Sequence, residues 1–261
     1  MTISNIVRYE IKNFTSSKLA MIGFIVGTII NLFAFYFTSK AFVPKSEIIT
    51  FLGQSNYFEY IVIGEISLIL TSLFFNDSQE LYERLKNFGI LEKYWLSDKR
   101  TEINTLKHYL ALSIIKLIII LVNLFLIIIL FSFKVSLLNV FLFLLVQIAI
   151  LILFTPIFLL FFYFAFALGK KSSLFLHAIS FLSVLSGAYF PLEVFGGEYI
   201  VSLLKINPIS LQISLARTIL NSNYSEVPIL LLRCLGWTLV SCLFLYFLRK
   251  FVYKWKMKNI I

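Results

Sequence analysis

The feature that most constrains this chain is a series of apolar runs, each about twenty residues long, separated by short polar segments. A helix rises about 1.5 Å per residue, so a run of this length matches the roughly 30 Å hydrocarbon core of a bilayer. In lipid, a helix satisfies its own backbone hydrogen bonds. The pattern therefore predicts an all-α, polytopic membrane protein with six transmembrane helices in a single transmembrane domain over residues 1–261.

The six expected spans have apolar centres and polar or basic ends, and they cover residues 19–39, 57–75, 109–131, 138–167, 173–190 and 228–248. Pro156 predicts a kink in the fourth span, because proline lacks an amide hydrogen and clashes with the preceding helical turn. The first run is too long for a secretory signal core and no small-residue cleavage site follows it, so it is expected to remain as a span.

The distribution of lysine and arginine predicts the orientation of the helices. With the N-terminus inside, sixteen of the 23 Lys and Arg residues fall in segments expected to be cytoplasmic and five in outer segments. Cytoplasmic loops are enriched in these residues, so both termini are expected in the cytoplasm of a cell (plasma) membrane protein. This asymmetry accounts for the net charge of +10, and no nucleic-acid partner is expected.

Three segments outside the spans are expected to form short helices. Residues 3–17 place apolar side chains at near-helical spacing, which predicts an interfacial amphipathic helix, with an ordinary leader as the alternative. Residues 76–107 carry an apolar stripe from Leu81 to Trp95, which predicts a cytoplasmic helix that contacts either a partner or its own bundle. Residues 191–227 contain apolar stretches too short to span, which predicts short outer re-entrant helices.

Polar residues inside the spans are candidates for a transport pathway or for structural pairing. Glu65 lies near the middle of the second span and Lys116 lies in the third. A charge at the bilayer centre costs about 2.5–3.5 kcal/mol on insertion scales, so these two residues are expected to pair, for transport or for structure alone. Asn123, Gln147 and Arg233 are lesser candidates, expected to form hydrogen bonds between helices or to reach the interface.

Motifs of soluble catalysis are absent from the sequence. No G-x-x-x-x-G-K-[ST] segment occurs, so ATP-driven work would need a separate ATPase subunit. Cys234 and Cys242 share one apolar run, and His108 and His177 stand alone, so no catalytic residue and no metal site is expected.

Several short motifs do occur in a recognisable order. After the fifth expected span come a small-residue pair, an F-P-L turn, an N-P pair and an arginine, carried by Ser186, Gly187, Phe190, Pro191, Leu192, Glu193, Asn207, Pro208 and Arg217. In the cytoplasmic segment, Phe88-Gly89-Ile90-Leu91-Glu92 is similar to a G-T-L-E element with Ile90 in place of Thr. This order resembles the permease subunits of type-2 ABC exporters, in particular small bacterial peptide or bacteriocin-type exporters. Phe195-Gly196-Gly197 departs from the family's usual L-P-x-W.

The resemblance implies a concrete assembly. Two permease copies, or this chain and a close relative, would enclose a pathway, and Gly23 and Gly27 would suit their interface because small residues let helices approach closely. Two ATPase subunits, which bind ATP and Mg, would dock on a coupling helix through Glu83, Arg84, Phe88, Gly89, Ile90, Leu91, Glu92 and Lys93. The outer gate would be formed by Ser186, Gly187, Phe190, Pro191, Glu193, Asn207, Pro208 and Arg217.

The expected function is therefore ATP-driven export of hydrophobic or amphipathic peptides of the toxin or antimicrobial type. Small outer loops favour such substrates over large polymers, and drugs or lipids are the alternative. A membrane-embedded enzyme and a membrane scaffold or sensor are alternatives from other classes. Paired catalytic residues on facing spans would favour an enzyme, and a copurifying ATPase would favour an exporter.

Overall fold

The computed structural model describes residues 3–15, 18–41, 57–91, 100–131, 135–169 and 181–260, and these segments form a helical bundle without a β-strand. In chain order the helices are α1 (Ile3–Thr15), α2 (Lys18–Ala41), α3 (Tyr57–Ser72), α4 (Ser78–Asn87), α5 (Arg100–Phe131), α6 (Leu137–Leu153), α7 (Thr155–Leu168), α8 (Glu198–Ile206), α9 (Pro208–Leu220) and α10 (Val227–Ile260). The expected all-α class is confirmed.

Three helices are long and apolar enough to cross a membrane, namely Tyr57–Asn87, Glu102–Phe131 and Tyr224–Val252. Two further helix pairs meet the same criterion only when each bent pair is taken together, which gives up to five candidate spans in the described segments. The expected first span coincides with α2, which is not among these five, and the first eight residues of the fifth, 173–180, lie outside the described residues. The count of six spans therefore stays a prediction.

The two bent helix pairs differ in the bend angle and in the residue at which the bend occurs. α6 and α7 are bent by 46° at Phe154, two residues before Pro156, which has no N–H to offer the helical ladder. α8 and α9 are bent by 84° at Asn207, whose side chain accepts a hydrogen bond from the Ile209 amide at 3.1 Å and so caps α9. Residues 191–227 thus contain two short helices, and their arrangement as outer re-entrant helices stays a prediction.

α9 lies at the centre of the bundle, packed against α3, α6 and α10. Nearly all of its residues are buried, whereas none of the residues of α8 is. The side-chain amide of Gln212 on α9 donates to the carbonyl of Ser67 on α3 at 2.7 Å. A helix this short needs protein around its ends, because lipid cannot satisfy its terminal backbone groups.

The second expected span does not end near residue 75. A π-helical turn, Leu73–Asp77, joins α3 to α4, and the whole forms one helix of 31 residues from Tyr57 to Asn87. At 1.5 Å per residue its length is roughly 46 Å, which exceeds the hydrocarbon core. The predicted cytoplasmic helix is therefore a continuation of the second span, and α5 likewise begins at Arg100 rather than at 109.

This long helix defines two ends of the bundle. Near Tyr57 it meets the turn around Gly187, and we call this the hairpin end because Arg217 of the α8–α9 hairpin also bonds that turn. Near Arg84 it meets α1, and we call this the N-terminal end. The N-terminal end corresponds to the side that the charge distribution predicts to be cytoplasmic.

Candidate functional site

At the hairpin end, the turn that contains Ser186 and Gly187 packs directly on α3. Gly64 permits this approach, since a β-carbon built there would lie 2.9 Å from the Cα of Ala188. The hydroxyl of Tyr60 donates to the carbonyl of Gly187 at 2.9 Å, and that of Tyr57 donates to the carbonyl of Tyr189 at 2.9 Å. One face of α3 thus holds the whole turn.

Arg217 on α9 also forms hydrogen bonds that hold this turn. Its Nη2 donates to the carbonyl of Tyr60 at 3.0 Å and to that of Ala188 at 2.9 Å. Its guanidinium carbon also lies 3.4 Å from the centre of the Tyr60 ring, a cation–π contact that arginine forms better than lysine. Arg217 therefore connects α9, α3 and the motif turn into one unit.

A polar cavity of about 270 Å³ lies beside this unit. Its lining includes the predicted gate residues Ser186, Gly187, Pro191, Glu193 and Arg217, and also Tyr60, Lys205, Glu226 and Arg233. The Nζ of Lys205 lies 2.9 Å from the Oε1 of Glu193. Tyr60 was not among the residues predicted from the sequence, although Tyr60 and Gly64 lie one helical turn apart and so share a face.

The remaining gate candidates lie elsewhere. Phe190 is half exposed, and it does not line the polar cavity. Asn207 and Pro208 form the bend between α8 and α9 and line a separate, apolar cavity with Trp237 of α10. The structure therefore brings five of the eight predicted gate residues together.

The expected pair between Glu65 and Lys116 is wrong. The Nζ of Lys116 lies 3.0 Å from the Oδ2 of Asp77 and donates to the Ser72 hydroxyl at 2.8 Å. The carboxylate of Glu65 instead accepts a hydrogen bond from Tyr189 at 2.7 Å. Lys116 lies level with Asp77, which is twelve residues and about 18 Å beyond Glu65 on the same helix. The sequence pairing failed because it assumed that the helix ended before Asp77.

The three lesser candidates have three different environments. The buried side-chain amide of Asn123 donates to the Ile119 carbonyl of its own helix at 2.8 Å. Gln147 is fully buried, and its amide has no hydrogen-bond partner among the described residues. Arg233 is exposed at the rim of the polar cavity. The predicted hydrogen bonds between helices are therefore not formed by Asn123 or Gln147.

At the N-terminal end, Glu10 of α1 is buried between the guanidinium of Arg84 and the imidazole of His108. Its Oε2 lies 2.8 Å from Nη1 of Arg84 on α4, and its Oε1 lies 2.9 Å from Nδ1 of His108 on α5. Burial acts to raise the pKa of Glu10, but the hydrogen bonds and charges of His108 and Arg84 outweigh it and hold the pKa below its ordinary value. This contact joins three helices that are distant in sequence.

The apolar stripe of residues 76–107 is used mainly by the bundle itself. Leu81, Leu85 and Leu91 are buried, whereas the side chain of Phe88 is 65% exposed. Gly89 ends the helix with a φ of +64°, a value that suits glycine. The leucines of the stripe therefore pack against the other helices of the bundle, and Phe88 is exposed at the end of α4.

A groove of about 500 Å³ lies beside Phe88, between α1 and α4. Ile90 and Arg84 line it together with Ile6 and Tyr9 of α1, and Glu83 is exposed on α4. Two of the expected docking residues, Glu92 and Lys93, fall outside the described residues, and so does Trp95 of the apolar stripe.

Gly23 and Gly27 lie on a face of α2 with open space around them, because a β-carbon at either position would meet no atom within 4 Å. No described residue lies against these two glycines, and their use as a permease interface stays a prediction.

The described segments contain no group of three or more His, Cys, Asp or Glu side chains that could hold a metal ion. The contacts form two clusters at opposite ends of the helix Tyr57–Asn87. One holds the motif turn through Tyr60 and Arg217, and the other joins Glu10, Arg84 and His108. No protein-family model matches this chain, and no curated protein and no solved structure shows significant similarity to it.

Proposed function

We propose that this chain is the permease subunit of an ATP-driven exporter of the type-2 ABC kind, which moves hydrophobic or amphipathic peptides out of the cell. Two copies of a separate ATPase would bind ATP and Mg, and a second permease copy or a close relative would complete the pathway in the cell membrane. The single observation that carries this proposal is the exposed Phe88 at the end of a helix that also forms the second span.

The long helix supplies a physical route from ATP to the pathway. An ATPase that holds Phe88 and the groove beside α1 would move α4, and the continuous hydrogen-bonded helix would carry this movement to Tyr57 and Tyr60. Those tyrosines are bonded to the motif turn at the hairpin end. Closure of the ATPases would therefore shift the turn and the polar cavity beside α9.

Two features suit the movement that such a mechanism needs. The π-helical turn Leu73–Asp77 interrupts the regular ladder in the middle of the long helix, and such turns often mark functional positions. The Glu10–Arg84–His108 contact holds α1 against α4 and α5, so α1 would move with the docking surface.

Copurification tests the proposal. The tagged chain is expressed with its neighbouring genes, solubilised in mild detergent and purified, and the associated proteins are identified. We expect an ATPase without membrane spans in about equal amount, with hydrolysis stimulated by amphipathic peptides. Stimulation by drugs or lipids alone would redirect the substrate class, and absence of any ATPase would reject the exporter in favour of a membrane enzyme, scaffold or sensor.

A further inference from the structure

Glu65 is a carboxylate with no countercharge among the residues that the structure describes. It lies about 12 Å along the helix from Tyr57, at a depth where a charge is costly in lipid. Its Oε2 accepts the hydrogen bond from Tyr189, and it forms no ion pair within the described residues.

Two other interior charges in the described segments have partners of opposite sign. Lys116 lies 3.0 Å from Asp77, and Glu10 lies 2.8 Å from Arg84. Arg217, the cation of the adjacent α9, is committed to two backbone carbonyls and to a tyrosine ring. Glu65 therefore differs from Lys116 and Glu10, because no residue of opposite charge pairs with it in the described segments.

A groove of about 250 Å³ lies along α3 and begins at Leu68, three residues from Glu65, which does not itself line it. Leu68, Ser72 and Asn76 line it, and with Glu65 they recur at three- or four-residue spacing on one face of the helix. Tyr189 lines the groove as well, so its hydroxyl connects the groove to the carboxylate. None of the side chains that line the groove is basic.

We propose that Glu65 binds the ammonium or guanidinium group of a cationic amphipathic ligand, whose apolar part occupies the groove beside Leu68. A carboxylate accepts several hydrogen bonds, and Tyr189 occupies one oxygen while Oε1 has no partner in the described segments. Charge-assisted bonds to that oxygen would offset the cost of holding the charge at this depth.

Tyr189 acts as a positioning residue in this site. It belongs to the turn that α3 and Arg217 hold in place, so its hydroxyl reaches Glu65 from a fixed backbone. The inference rests on the proposed function only in that the bound cation would be the exported substrate, namely a basic amphipathic peptide rather than a neutral one.

Direct binding tests this site without an ATPase. The purified chain is placed in nanodiscs of zwitterionic phosphatidylcholine, with empty nanodiscs as the blank. Fluorescence anisotropy then measures binding of a labelled amphipathic peptide of leucine and lysine, and of the same peptide with every lysine acetylated. We expect the lysine peptide to bind the unmodified chain about tenfold more tightly or better, the range of a charge-assisted hydrogen bond.

Three single variants show which residue causes the preference for the lysine peptide. Glu65→Gln should bind both peptides equally, while Glu59→Gln, which removes another half-buried carboxylate of α3, should keep the preference for lysine. Tyr189→Phe should weaken lysine-peptide binding several-fold and leave the acetylated peptide unaffected. A lysine preference that survives Glu65→Gln overturns the inference.

Peptide binding by the unmodified chain alone also tests the site. If Glu65→Gln does not fold, equal binding of the two peptides by the unmodified chain overturns the site, and a lysine preference that falls with added salt supports it. Because no ATPase is present, failure of this experiment and failure to copurify an ATPase are separate results.

Discussion

The backbone of Gly64 on α3 lies so close to Ala188 that a β-carbon at residue 64 would be 2.9 Å from the Cα of Ala188. This contact places the motif turn against the second span at the hairpin end. Because both sides of the contact are backbone, neither can move aside as a flexible side chain would.

We expect Gly64→Ala to lower the stability of the protein by about 1–3 kcal/mol, the usual cost of overpacking. Thermal unfolding in detergent, followed by tryptophan fluorescence, measures the change. Gly236→Ala is the matched control on α10, where a β-carbon would meet no atom within 4 Å. An unfolding temperature equal to that of Gly236→Ala would show that the turn does not pack on Gly64.

Arg217→Lys should also loosen the turn. Lysine keeps the charge but cannot bond both carbonyls while it lies flat on the ring of Tyr60. We expect a loss of about 1.5–3 kcal/mol, the range for hydrogen bonds to charged groups. Arg233→Lys at the exposed rim of the same cavity should change stability little, and equal effects of the two variants would contradict the role of Arg217.

The Lys116–Asp77 pair predicts a non-additive double mutant. Lys116→Met leaves the Asp77 carboxylate largely buried without its cation, which should cost about 3 kcal/mol. The double variant Lys116→Met with Asp77→Leu should recover most of that loss, because apolar replacement of a buried pair is often neutral. A cycle between Lys116 and Glu65 should give no coupling energy, and measurable coupling there would restore the pairing expected from sequence.

The Glu10 contact predicts a pH dependence with a defined sign. Its pKa is held below the ordinary glutamate value, so the folded state gains stability above about pH 4.3 and loses it as the pH falls through the lowered pKa. Unfolding temperatures of the unmodified protein and of Glu10→Gln should differ at pH 7 and converge below pH 4. Glu83→Gln, which changes an exposed carboxylate on α4, should show no such convergence.

Phe88→Ala separates ATPase docking from folding. Because Phe88 is 65% exposed, its removal should change stability by less than about 0.5 kcal/mol. The same change should reduce the amount of copurified ATPase. Phe181→Ala is a matched control with 63% exposure. A change at Leu91 would be less informative, because that side chain is buried and its loss would also destabilise the bundle.

Local patterns in the sequence were sufficient for the helical class and for the bend near Pro156. Each of these follows from hydrophobic run length or from the chemistry of proline, which act within a few residues. Most of the ordered motif residues also lie together, since they line one cavity.

The sequence alone determined that this chain is helical and suited to a membrane, because a long apolar run has few other ways to satisfy its backbone in lipid. Only the tertiary structure decided which polar groups meet. The unbroken helix from Tyr57 to Asn87 places Asp77 beside Lys116 and leaves Glu65 to Tyr189. Such pairings depend on the relative depth of neighbouring helices, and run lengths in a single sequence do not define that depth.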